Sequence, residues 1–209
     1  PLFINLSDYS TGLRIFNVGT TCDWYVVQKA RNEKNTIVRD VDGIESSVDI
    51  SSLELLPNRN LEECIKYLAS PSEERVEIVF SQTAYYTLLD HMSKERTDTF
   101  KHPVAYTITQ KNGPSFWWSS DKTRGQFGVP KVIVSKGAGC YPIVDLEGDY
   151  GLTQFTYAIA DSKENLPKIE KALKSEKFLK LMKDLGSGND RYTREALSVL
   201  KKDFWKDFI

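Results

Sequence analysis

Residues 101–160 read KHPVAYTITQKNGPSFWWSSDKTRGQFGVPKVIVSKGAGCYPIVDLEGDYGLTQFTYAIA. Five short apolar runs, Val104–Ile108, Phe116–Trp118, Val132–Val134, Ile143–Leu146 and Phe155–Ile159, alternate with Gly, Pro, Asn and Asp. That punctuation predicts short strands joined by tight loops. Between Lys101 and Cys140 there are six Lys or Arg and one acid, Asp121, interleaved with Tyr106, Phe116, Trp117, Trp118 and Phe127. Basic side chains among aromatics, carried on loops, predict a surface that meets a polyanion, and duplex DNA is the expected partner.

Upstream, residues 1–58 read as strands and turns. Leu13–Val18, Trp24–Gln28 and Thr36–Arg39 are β-rich, and Asp42-Gly43 signals a turn. Trp24 and Tyr25 are expected to pack in a core. Asn60, with Glu63 three residues on, has the form of a helix N-cap, followed by Leu61, Ile65 and Leu68 on one face. Val76–Phe80 reads as a strand and Thr83–Met92 as a helix, with Ala84, Leu88 and Met92 in register and His91 near its end. Residues 93–102 are polar and link into the central region. Glu147-Gly148-Asp149 reads as a β-turn.

Downstream of Asp161 the period becomes helical. Pro167 suits a first turn, Ser175 caps a second helix, and Gly186 ends it. From about Thr193, a last helix is expected to carry Leu197, Leu200, Phe204 and Phe208 as an apolar stripe, with Trp205 beside it. Lys168, Lys171, Lys174, Lys177, Lys180 and Lys183 recur every third residue, forming two stripes once the helix breaks near Ser175; they read as a solvated face, with phosphate contact from part of the row as the second reading. The predicted fold is α+β, a mixed sheet region through about residue 160 with a helical C-terminal segment packed on it. Residues 1–100 form its N-terminal part and 101–209 the core recognition region.

The chain has 209 residues, 40% of them hydrophobic and 27% charged, with net charge −1. The charge is uneven: the first hundred residues carry ten basic and sixteen acidic groups, and residues 101–140 are strongly basic. No apolar run approaches the ~20 residues that span a bilayer, so no membrane partner is expected. No basic-then-apolar leader is visible. Three scattered cysteines without CxxC argue against structural zinc and for a reducing, intracellular compartment. The opening at Pro1, running straight into an apolar segment, reads as a piece of a longer protein. Nucleophilic catalysis lacks a base, since His91 and His102 stand near no nucleophile turn. Gly137-Ala138-Gly139 is a turn rather than a dinucleotide loop, and no phosphate loop occurs. Asp145, Glu147 and Asp149, with Asp161 and Lys163 downstream, loosely imitate a metal-dependent nuclease. No cofactor or metal is expected.

Several blocks resemble one family. Tyr106–Ile108 with Gly113–Ser119, Phe127–Ile133 (FGVPKVI) and Asp145–Gln154 (DLEGDYGLTQ) are similar to the C-terminal specificity region of adenine-specific type II restriction–modification DNA methyltransferases. Lys171–Met182 and Lys201–Phe208 extend the likeness, and Val18–Gln28 adds a weaker one. The resemblance implies a target-recognition unit, with a methyltransferase or endonuclease region in the same or a partner chain. The Gly-rich S-adenosylmethionine loop and the Asn/Asp-Pro-Pro-Tyr/Phe motif of the catalytic half are missing from these residues, so methyl transfer is not expected of them.

The candidate DNA-facing set is Tyr106, Lys111, Asn112, Trp117, Trp118, Ser119, Lys122, Arg124, Gln126, Lys131 and Lys136. Arg124 and Gln126 suit base reading, because Arg pairs with guanine and Gln with adenine in the major groove. Lys111, Asn112, Lys122 and Lys136 suit the phosphate backbone or groove floor. Trp117 and Trp118 face opposite ways on a strand, one toward the core and one free to stack on a base. Two other readings stand beside this one: the metal-dependent nuclease, and a protein-interaction domain using exposed aromatic and amphipathic surfaces.

Overall fold

The structure, a computed structural model, describes residues 3–8, 13–15, 17–19, 21–29, 35–137, 141–186 and 192–209. Most of the expected Gly137–Gly139 turn, and Cys140, lie outside them. The chain forms two compact units, Pro1–Glu73 with Asp184–Gly186, and Glu74–Lys183 with Ser187–Ile209. The fold is α+β, with mixed sheets and a few short helices. Among the described residues no helix is long and apolar enough to cross a membrane.

The first unit holds one sheet, in the order β2 (Trp24–Val26), β1 (Phe3–Asn5), β3 (Thr36–Arg39), β4 (Glu45–Val48), with β1 and β3 parallel. The expected Asp42-Gly43 turn joins β3 to β4, with Gly43 at φ +84°, and Asp40, not singled out in the sequence, fastens it: its carboxylate accepts the backbone N–H groups of Asp42 and Ile44, both at 2.9 Å. Leu6, Val38 and Leu61 make the core. Three expectations change here. Leu13–Ile15 is helical rather than extended. Trp24 and Tyr25 lie on an edge strand with outward faces, 44% and 68% exposed, and the Trp24 ring lies 5.3 Å from that of Phe3. Asn60 stands at the N-cap of helix α1 (Leu61–Ile65), but its side chain makes no cap bond: its backbone is left-handed, at φ +47°, rather than extended, and its amide donates to Asp184 Oδ2 at 2.8 Å.

The second unit stacks two four-stranded sheets and a helical layer. One sheet runs β11 (Gly151–Leu152), β7 (His102–Thr109), β8 (Gly113–Ser119), β6 (Met92–Ser93). The other runs β10 (Ile143–Asp145), β9 (Lys131–Ser135), β12 (Thr156–Ala160), β5 (Glu77–Val79). Ala105, Ile108 and Leu152 from the first meet Ile133 and Ala158 from the second in a fully buried cluster. The Ser135 hydroxyl ties the sheets further, bonding both the N–H and the C=O of Ile108. Helix α2 (Leu166–Lys174) packs against β9 and β10, so β9 is covered on both faces and all five of its residues are buried.

Pro167 starts α2, and the Ser175 hydroxyl accepts the Phe178 N–H to begin α3 (Glu176–Asp184), both as expected. Two helices read from the sequence do not form. Residues 83–91 are turns and bends and Met92 opens β6, because Tyr85, outside the Ala84–Leu88–Met92 register, is the residue pulled fully into the core, while Leu88 stands 78% exposed. Ser81 Oγ and the Gln154 side chain take the backbone N–H groups of Ala84 and Thr87. The terminal stripe is buried as expected, but not on one helix: Leu197 is in α4 (Arg194–Ser198), Leu200 precedes a bridge from Lys201 to Arg75, Phe204 begins a 3-10 turn (Phe204–Asp207), and Phe208 follows it.

Candidate nucleic-acid interface

The loop from Ser119 to Lys131 is built by side chains that fasten its backbone at close intervals. At its start Ser119 is fully buried, and its hydroxyl lies within hydrogen-bond distance of the carbonyls of His91 and Asp121 and accepts the Asp121 N–H. Asp121 then organises the turn. One carboxylate oxygen accepts the N–H and hydroxyl of Thr123, at 2.8 and 2.7 Å, and the other accepts Arg124 Nε at 2.9 Å. Thr123 and Arg124 hold that carboxyl below the usual Asp value. The Arg124 N–H donates to the hydroxyl of buried Tyr85, whose own ionisation burial pushes upward.

The second half of the loop is tied from below. Gln126 is 3% exposed, and its Oε1 accepts the Leu152 N–H at 2.6 Å, while its Nε2 has no partner among the described residues. The Gly128 N–H donates to the Gly148 carbonyl at 2.8 Å. That approach needs glycine, since a Cβ on Gly148, at φ +72°, would stand 2.4 Å from the Val129 nitrogen. Lys131 finishes the arrangement. Its ammonium, fully buried, donates to Asp145 Oδ2 at 2.6 Å and to the carbonyls of Gln126 and Val129, both at 3.1 Å. Three donors meet three acceptors, and burial pulls the Lys131 pKa down against the opposing pull of Asp145.

This geometry sorts the candidate residues. Lys122 and Arg124 are exposed on a fastened loop, Arg124 still 43% exposed despite its Asp121 contact. Ser119, Gln126 and Lys131 are turned inward instead and serve the backbone. Their sequence neighbours gave no sign of this, since an isolated Lys next to a strand reads as a surface group. Lys111 and Asn112 are exposed at the β7–β8 tip, where Gly113 takes φ +67° and the Asn112 N–H donates to Thr109 Oγ1. Lys136 is exposed just past β9, at the end of the sheets where Ser135 meets Ile108. Seven residues of β8 separate the tip from the loop, about 20 Å at ~3.3 Å per residue.

The aromatics lie between these two ends. A bulge at Tyr106 breaks the β7–β8 register and sets its ring 6.0 Å from Trp117 and 5.3 Å from Phe155, which is 39% exposed. Trp117 is half-buried against Tyr85, Met92 and Val104. Trp118 is half-buried too, with the Arg96 guanidinium 5.1 Å from its ring centre. Arg96 was not singled out by the sequence, because it falls in the polar link before β7.

The acids of the nuclease reading are committed elsewhere. Asp145 is 2% exposed and, besides Lys131, accepts the N–H groups of Asp149 and Tyr150. Glu147 pairs with Lys163 at 2.6 Å, and Asp161 accepts the N–H of Ser162 and the amide of Asn165. Among the described residues no three His, Cys, Asp or Glu side chains are grouped as metal ligands. No protein-family model, no curated protein and no solved structure matches this chain.

Proposed function

We propose that this chain is a sequence-reading module for duplex DNA, of the kind that directs an adenine-specific restriction–modification methyltransferase. The observation that carries the reading is the 119–131 loop. Its backbone is fastened by Ser119, Asp121, Tyr85, Gln126 and Lys131, while Lys122 and Arg124 stand in solvent. A charged group held on a fixed backbone loses little freedom on binding, and discrimination between bases needs that fixity. Arg124 is the base reader, offering its terminal guanidinium nitrogens to guanine, and Lys122, Lys111 and Asn112 neutralise or hydrogen-bond phosphates. The ~20 Å between loop and hairpin tip corresponds to about six base pairs at ~3.4 Å each. Methyl transfer falls to residues outside this sequence, in the same or a partner chain.

The test is selection of bound duplexes from a random pool at low and moderate salt without magnesium. A single enriched motif of about six base pairs, with affinity falling as salt rises, is the expected result. Salt-independent binding, or enrichment of no motif by the chain joined to its methyltransferase region, would remove the reading.

A further inference from the structure

Three strand ends meet at one edge of the β10–β9–β12–β5 sheet. β12 runs antiparallel to β9 and β5, so its start lies beside the ends of both. Lys136 follows β9, where its N–H donates to the Phe155 carbonyl at 2.9 Å, and Phe80 follows β5. Two cations from separate elements converge on the Phe80 ring. Lys136 Nζ is 5.6 Å from its centre, and the Arg194 guanidinium carbon, from the first turn of α4, is 4.7 Å away. Together with Gln82, Thr193 and Glu195 they surround a cleft of about 190 Å³ floored by buried Tyr157 and Tyr192.

The charges of this cleft are incompletely matched. Arg194 Nη2 donates to Glu195 at 3.0 Å, which uses one of five guanidinium donors. Among the described residues Lys136 forms no ion pair. Its own backbone, then Arg194 and Lys136, hold the Glu195 carboxyl below the usual value, so the acid is ionised and two cations face one anion. The volume is below the ~300 Å³ of a small-molecule pocket, which fits one compact anionic group rather than a whole nucleotide.

We propose that this cleft seats a single phosphate group, held by Lys136 and the unused edge of Arg194 beside the Phe80 ring. The source can be a DNA backbone or free phosphate. The first rests on the DNA reading above and adds Arg194 to its contacts; the second stands without it. Lys136 adjoins the hairpin-tip end of the interface, so a backbone phosphate here would lie at the far end from Arg124.

Calorimetric titration with inorganic phosphate, using the whole chain, reads the cleft directly. Binding should weaken at least about tenfold in Arg194→Gln and in Lys136→Gln, and strengthen several-fold in Glu195→Gln, which removes the resident anion. Arg194→Lys, keeping the charge, should retain part of the affinity and guards against a folding defect. Phosphate binding unchanged by all of these variants, or none at all together with an unaltered duplex salt dependence in Arg194→Gln, overturns the site. A duplex source is shown by a fall of about one in the salt slope of Arg194→Gln, with the enriched motif unchanged. Phosphate binding in a chain that binds no duplex leaves the cleft standing while the DNA reading fails.

Discussion

The β7–β8 tip and the 119–131 loop have similar composition, Lys and Asn beside Gly in one, Lys and Arg beside Gly in the other. They differ in how the backbone is held. The tip is closed by one side-chain bond, Thr109 Oγ1 to the Asn112 N–H, and a glycine at positive φ. The loop is held by a buried hydroxyl, a carboxylate turn, a buried tyrosine, a buried amide and a buried ammonium. Attraction to a polyanion needs only charge, which both regions have. Discrimination needs a group that cannot relax to suit the wrong partner, and on the proposed reading the loop rather than the tip supplies it.

The contrast breaks most directly at Lys131. Lys131→Met leaves Asp145 buried without its cation and unties the Gln126 and Val129 carbonyls, so stability should fall by about 3–5 kcal/mol. Urea unfolding followed by tryptophan fluorescence measures it, and Lys131→Met with Asp145→Asn, which removes the buried charge while its amide oxygen can still accept a backbone N–H from Asp149 or Tyr150, should recover part of the loss. A cost near zero would mean that the loop is not held from below. Gln126→Ala and Arg124→Ala then separate holding from reading. The first should cost about 1–3 kcal/mol of stability by orphaning the Leu152 N–H. The second should leave stability within about 0.5 kcal/mol and cost about 1–3 kcal/mol of discrimination at one base position. Equal loss of base preference in both variants would erase the distinction.

Lys111→Ala and Lys122→Ala should each lower the salt slope of duplex binding by about one without changing the selected motif. A shifted motif in Lys111→Ala would show that the tip reads bases too. The smallest effect concerns His102, beside the loop. Burial, then Lys101 and Lys122, hold its pKa below 6.5. The unfolded chain therefore takes up that proton first. The contribution of His102 to stability is present above about pH 6.5 and is lost as pH falls through its lower folded value. His102→Gln should flatten that part of the stability–pH profile while leaving binding at pH 7.5 unchanged.

The strands of the second unit were legible because each is a short apolar run bounded by Gly, Pro, Asn or Asp; only two-residue pieces such as Gly151–Leu152 gave too little pattern. Thr83–Met92 misled because a helical register can be drawn through Ala84, Leu88 and Met92, whereas the core selected Tyr85, whose ring meets Phe127 at 5.6 Å. Trp24 and Tyr25 misled for the opposite reason, since apolar character says nothing about whether a strand lies at a sheet edge. Within the candidate site, exposure of Lys111, Lys122, Arg124 and Lys136 followed from their polar loops. The inward turn of Gln126 and Lys131 did not, because their partners, Leu152 and Asp145, lie 26 and 14 residues away and no local pattern announces them.

The close approach of Gly128 to Gly148 has a consequence for any attempt to transplant specificity. Residues 122–125 of the 119–131 loop face solvent, whereas the loop's underside is fitted to the 145–152 segment through Gly148, Asp145 and Leu152. A loop moved alone into another scaffold would arrive without its floor. The smallest exchangeable cassette is therefore a pair of segments, 119–131 and 145–152, separated in the chain by the rest of β9 and the start of β10, which stay behind.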